Sequence, residues 1–273
     1  MNPVWALPLV IAMQTRSASV SPRPVTWAAQ SSRPAACYAS PGLWELSRQA
    51  QVERRCRELA RGQALLERAP QQALARATAL LAESPDLVQA RVLRGRASLR
   101  LGNTRAALAD LAPLLDAPPG TLTDPATLQD GGRAAMREGD LPTALRFYRR
   151  LGSGAALLPE RRQQLIAYIE IAGALLALES GPGDRSLEAL AYLREARRRS
   201  AGSGYTTLVA HLSAYALMTQ GRQAEGLAAL NEIKQTSELE RVVSRGEAVL
   251  PSALLPAIRE RVAAATRKPA SKR

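Results

Sequence analysis

Two glycines and an alanine recur at fixed spacing: Gly95, Gly102 and Ala107 return as Gly132, Gly139 and Ala144, followed by Leu108 and Leu145, with Leu111 and Tyr148 three residues further on. Six residues separate the two glycines in each copy, and four separate the second glycine from the alanine. Small residues at constant offsets with a period in the thirties mark stacked helical pairs, each too small to bury its own apolar face. The second glycine has a local reason. Gly102 precedes Asn103 and Gly139 precedes Asp140; a left-handed glycine ends one helix while the polar neighbour is suited to cap the next. The first glycine and the alanine fall inside helices, where glycine costs ~1 kcal/mol against alanine. Close approach of two helix axes is the expected compensation, so Gly95, Ala107, Gly132 and Ala144 should be wedged between neighbouring helices.

Alanine and leucine dominate, there is one Phe, and alternating apolar and polar stretches are scarce, which favours helix over strand. Leu108, Leu111 and Leu115 share one helical face, as do Leu141, Leu145 and Tyr148. The spacing resembles the tetratricopeptide repeat, whose unit of about 34 residues has small residues in both helices and a proline near its end. Pro85 and Pro119 close two such units. Units are placed at 54–87, 88–121 and 125–158. In the first, Ala73-Leu74 keeps the alanine-leucine position while Arg61 and Arg68 replace the glycines. A longer fourth unit has a helix from Glu160 to Glu179, a break at Gly181-Pro182-Gly183 and a second helix capped by Ser186. Ala201-Gly202-Ser203-Gly204 reads as a flexible hinge before a fifth unit at 207–240, where Gly226 in place of alanine should loosen the packing. Residues 251–266 form the terminal helix such arrays need. The fold implied is all-α: a right-handed α-solenoid of about five antiparallel helix hairpins with a C-terminal capping helix.

Position along the chain decides what the net charge of +13 means. Residues 1–36 carry Arg16, Arg23 and Arg33 without an acid, and the basic tail 267–273 adds four cations, which leaves +6 over 37–266, spread at helical spacing. Val4 to Met13 has the length of a signal-peptide core and is too short to span a bilayer. Residues 1–36 are therefore expected to be a signal peptide and disordered spacer, residues 37–266 the repeat domain and residues 267–273 a disordered tail. A periplasmic or secreted bacterial protein follows; against it, no Lys or Arg precedes the run and Pro3 and Pro8 interrupt it, and without export the protein is cytoplasmic. Cys37 and Cys56, nineteen apart, could then form a disulfide clamping the first ordered residues to the first helix.

Catalytic constellations are scarce. His211 is the sole histidine, so a Ser–His–Asp, Cys–His or histidine-rich metal site has nothing to build on. Gly152-Ser153-Gly154 and Gly202-Ser203-Gly204 lack the rest of any phosphate-loop fingerprint. The expectation is a non-catalytic protein without cofactor or metal. In tetratricopeptide solenoids the first helices of successive units line a concave groove for peptides or partner helices. The resemblance assigns that face to Val92, Arg96, Leu99 and Arg100, then Gln129, Arg133, Met136 and Arg137, and, at a more apolar end, His211, Tyr215 and Met218. Four arginines in two aligned turns suit a carboxylate or acidic segment. The function implied is a scaffold or adaptor binding a protein or peptide, with arginine-mediated binding of nucleic acid or another anionic polymer as the alternative. The shortage of aromatic residues argues against single-strand binding, which depends on stacking. Reversing Arg96 and Arg133 to Glu is expected to abolish binding and leave helicity intact.

Overall fold

The structure, a computed structural model, describes residue 37 and residues 46–116, 124–178, 184–231 and 248–266. The leader, Pro119, the Gly181–Gly183 break and the basic tail lie outside the described residues. Among the described residues eleven α-helices follow in order: α1 Leu46–Leu65, α2 Pro70–Glu83, α3 Val88–Arg100, α4 Thr104–Leu111, α5 Pro125–Arg137, α6 Leu141–Gly152, α7 Arg161–Ala177, α8 Asp184–Ser200, α9 Tyr205–Thr219, α10 Gln223–Asn231 and α11 Leu254–Thr266. Short 3₁₀ turns follow α4 and α6, at Ala112–Asp116 and Ala155–Leu157. No strand occurs among the described residues.

Consecutive helices pack on one another, and α1/α2, α3/α4, α5/α6, α7/α8 and α9/α10 form five hairpins. Three hairpin turns are built alike. Gly102, Gly139 and Gly221 have φ of 81°, 77° and 78°, a region in which any side chain is strained. Each turn makes the same pair of backbone bonds: Asn103 N–H to Ser98 O and Gly102 N–H to Leu99 O, Asp140 to Ala135 and Gly139 to Met136, Arg222 to Leu217 and Gly221 to Met218. These satisfy carbonyls that the helix end leaves without partners. The polar neighbours differ. Asp140 caps α6 by accepting from Thr143 N–H, whereas the Asn103 side chain makes no such bond. Asp124 caps α5, with Pro125 in the first turn where a missing N–H costs nothing.

The small residues are buried against partner helices. A Cβ on Gly95 would lie 2.8 Å from Leu111 Cγ, and one on Gly132 would lie 2.6 Å from the Tyr148 ring. Gly131 beside it is filled in the same way by Phe147. Ala107 and Ala144 are fully buried on the opposing helices. Gly95, Gly131 and Gly132 are thus notches in first helices for large side chains of the second helix.

Four expectations need correction. The first hairpin starts at Leu46 rather than near residue 54, and its notch is Gly62, where a Cβ would sit 2.5 Å from Leu93 of the next hairpin. Ser186 lies inside α8, buried, accepting from the Gln220 amide of α10's approach turn instead of capping. Residues 201–204 are a bonded turn rather than a loose hinge: Ser203 N–H, Ser203 Oγ and Thr206 Oγ1 all donate to Ser200 O, at 2.8, 2.6 and 2.9 Å. Gly226 tightens its contact, since a Cβ there would come within 2.8 Å of Met218 Cγ and 3.1 Å of Ala214 O.

The apolar core runs lengthwise. One cluster extends from Leu111 through Phe147, Tyr148, Ile169 and Leu175 to Leu212 and Ile258, and a second joins Leu59, Leu80 and Leu93 of the first hairpins. The first helices α1 and α3, α3 and α5, and α7 and α9 touch, while second helices of neighbouring hairpins approach less closely. The first helices therefore share one side of the array. Helix α11 departs from a simple end cap: it lies on α9 and α10 and also reaches α7, a first helix of the preceding hairpin.

Candidate functional site

The face formed by α1, α3, α5 and α7 carries an open cavity of about 400 Å³. Its lining comes from four hairpins: Glu67 after α1, Arg96 and Arg100 of α3, Ala126, Gln129, Asp130 and Arg133 of α5, and Arg162, Gln163 and Ile166 of α7. Stacking of the first helices brings these residues together, since each hairpin supplies one turn of the wall.

The arginines are tied down from within. Arg96 Nε donates to Asp130 Oδ2 at 2.7 Å and Arg100 Nη1 to Asp130 Oδ1 at 3.0 Å, so one carboxylate takes both. Arg100 also reaches Glu67 at 2.9 Å, and Arg96 has Asp124 at 3.8 Å. Asp130 is buried, which raises its pKa, but Arg96 and Arg100 overcome this and hold it below the usual carboxylate value. On the next step Arg133 Nε donates to Glu170 Oε1 at 2.8 Å and Gln129 Nε2 to Glu170 Oε2 at 2.9 Å. Glu170 has no exposed surface. Burial pushes its carboxyl above the ordinary range against Arg133, the Val249 N–H and Gln129, which pull it down.

These pairs follow the repeat. Arg96–Asp130, Arg100–Glu67 and Arg133–Glu170 join residues 34, 33 and 37 apart. Away from this face, Thr104–Glu138 and Arg150 to Leu115 O link neighbouring hairpins across 34 and 35 residues, whereas Arg199–Gln164 and Arg161 to Arg198 O tie the two helices of the α7/α8 hairpin together. One hairpin's polar side chain grips its neighbour's at the same level, which fixes the stacking register as well as the charge balance. A charge removed from one partner leaves the other half-buried and uncompensated, the expensive way to break such a pair.

The predicted groove residues divide accordingly. Val92 and Arg96 line a smaller recess with Gln63 and Thr127. Arg100, Gln129 and Arg133 line the main cavity. Arg137 is exposed. Leu99, Met136 and Met218 are buried in apolar contacts within and between hairpins. His211 is buried too, its Nδ1–H donating to Thr207 O at 2.8 Å one turn back, which ties it to its own helix. Tyr215 is covered by Arg261 of α11, whose guanidinium carbon lies 5.8 Å from the ring centre. The arginine grip and the apolar end are thus already occupied, by buried acids and by α11.

Sequence reasoning missed Asp130, Glu170, Glu67, Ile166 and the segment starting at Ala248. A signal for the acids existed: each stands about one repeat from an arginine that was singled out. That signal lies in opposite charges one unit apart, and comparison of equivalent residues in successive units does not display it.

The C-terminal segment meets the same face. Val249 N–H donates to Glu170 Oε1 at 3.0 Å, across 79 residues of sequence. Leu250 fills the notch at Gly173, where a Cβ would lie 2.4 Å from its Cδ2 and 3.7 Å from Leu254 Cδ2. At the other end of the chain Cys37 and Cys56 are joined in a disulfide with Cα atoms 5.9 Å apart, fastening residue 37 to α1. Among the described residues no group of His, Cys, Asp or Glu is arranged to hold a metal ion, and no helix is long and apolar enough to cross a membrane. Comparison with protein-family models, with curated proteins and with solved structures finds no match to this chain.

Proposed function

We propose that this chain is a non-catalytic scaffold that binds an extended or helical segment of a partner protein along the face of its first helices. The observation that carries this reading is the Glu170 contact: a buried side-chain carboxylate of the array takes the backbone N–H of a segment in non-helical conformation. Side chains that bind backbone accept a peptide of many sequences, and neighbouring notches then select its side chains. The cavity lined from α1 to α7 continues that floor, since Gln163, Ile166, Glu170 and Gly173 follow one another at three- and four-residue steps on α7.

Internal pairing of Arg96, Arg100 and Arg133 favours a protein partner over a polyanion. Phosphate binding through these side chains has to compete with acids already 2.7–3.0 Å away. The periodic ties and the three matching glycine turns support reading the hairpins as a tetratricopeptide-like, right-handed array. The Cys37–Cys56 bridge supports an oxidising compartment, hence export.

Panning a peptide library on the full chain tests the reading, with a Gln163→Trp/Ile166→Lys variant as control. Peptides that bind the wild type and lose at least tenfold on the variant support it. Ligands indifferent to both substitutions, or none at all, refute it.

A further inference from the structure

We infer that the groove over α7 and α9 is a helix-binding site which the chain fills with its own residues 248–262, and that its partner is an amphipathic helix led in by a short extended stretch. This rests on the reading that the first-helix face binds a segment. The floor is one stripe on α7: Gln163 and Ile166 line the open cavity, while Glu170 and Gly173, one and two turns further, lie under Val249 and Leu250. The same surface is bare at one end and covered at the other.

The covering segment binds as a ligand does. Residues 249–251 are non-helical, Val249 engages Glu170 through its backbone N–H, and α11 starts at Leu254. Leu250, Leu254, Ile258 and Val262 recur every four residues and face the array, with Leu254 and Ile258 buried in the main cluster. Arg259, Glu260 and Arg261 on the other side are exposed, although Arg261 still reaches over the Tyr215 ring. A helix continuing the stack would sit chiefly on α10. This one crosses onto α9 and α7, the first helices of two hairpins. Only one face of it is buried, as for an amphipathic helix laid in a groove.

A partner that competes must carry the same chemistry: apolar side chains at the spacing of Leu250, Leu254 and Ile258, and a free N–H three to five residues before the helix for Glu170. The resident segment lowers the apparent affinity of any such partner by the fraction of time it occupies the groove.

The test uses the full chain and a labelled peptide of residues 246–266. Leu254→Asp with Ile258→Asp in the full chain weakens the resident segment without touching the groove. This variant is expected to bind the wild-type peptide at least tenfold tighter than the wild-type chain does, with helicity outside α11 retained. Adding Gly173→Leu, which fills the notch taken by Leu250, should abolish that binding. Equal affinity of the two chains, or no binding by a folded variant, overturns the proposal. Loss of the folded state in the variant also overturns it, because α11 would then be an inseparable part of the core. Wild-type chains that dimerise by exchanging these segments would overturn the choice of a foreign partner. If library peptides bind the α1–α7 cavity while peptide 246–266 fails, this inference falls and the scaffold reading stands.

Discussion

Replacing Asp130 by Asn keeps the shape of the side chain that holds two arginines on the first-helix face and removes its charge. Asp130 holds Arg96 and Arg100 at 2.7 and 3.0 Å with only 4% of its side chain exposed. Removing one partner of a buried ion pair typically costs about 3–5 kcal/mol, because the remaining charge stays desolvated. Two features reduce that here. The arginines keep 20% and 26% of their side-chain exposure, and each retains a second acid, Asp124 at 3.8 Å and Glu67 at 2.9 Å. We therefore expect a loss of about 2–4 kcal/mol, which for a domain of this size is a fall in Tm of about 6–12 °C. The sign with pH follows from Asp130 being held below the usual carboxylate value. Its contribution is fully present above the unfolded value of about 3.9 and disappears as pH falls through the folded value. Wild type and Asp130→Asn should therefore differ by a constant amount from pH 7 to pH 5 and converge below pH 4. Thermal and urea unfolding followed by circular dichroism at each pH measures this. A change in Tm under 1 °C at pH 7, or a deficit undiminished in acid, would refute the argument. The same geometry changes the outlook for the double reversal Arg96→Glu/Arg133→Glu: it would set new carboxylates against Asp130 and Glu170, so helicity should be lost along with binding.

Gly132→Ala would gain ~1 kcal/mol from helix propensity at an exposed site, but here its Cβ meets the Tyr148 ring at 2.6 Å; overpacking should win, for a net loss of about 1–2 kcal/mol in urea unfolding. The Tyr148 hydroxyl is buried without a hydrogen-bond partner among the described residues, so Tyr148→Phe should leave stability unchanged or raise it by about 1 kcal/mol; a fall of that size in the same assay would mean the hydroxyl has a partner. Reducing the Cys37–Cys56 bridge, which closes a loop of nineteen residues, should cost at most ~3 kcal/mol. Hydrogen exchange should show the loss confined to α1 and α2, and uniform loss of protection would contradict the lengthwise division of the core.

Much of the fold was legible because it depends on local rules. Gly102 and Gly139 announced left-handed helix ends, and the turns adopt that geometry. Gly95 and Gly132 announced close approach, and Leu111 and Tyr148 occupy the space. The errors arose where one residue type has two uses. Ser186 resembled a cap but is a buried acceptor for Gln220, and Gly226 resembled a gap but sits against Ala214 O. Nothing local separates those alternatives, since the deciding atom belongs to another helix. The candidate site was less legible. Arg96 and Arg133 lie on the first-helix face, but their pairing with Asp130 and Glu170 could not be read from sequence: offsets along one helix say which way a side chain points and nothing about what meets it there.

Period, helix ends and the notches at Gly95 and Gly132 follow from the amino-acid order alone, because each is set by contacts within one hairpin. Whether the arginines are available, and what lies on Gly173, was decided only by stacking. Those answers depend on atoms 34 to 79 residues away, and chain connectivity leaves such distances open until the hairpins pack.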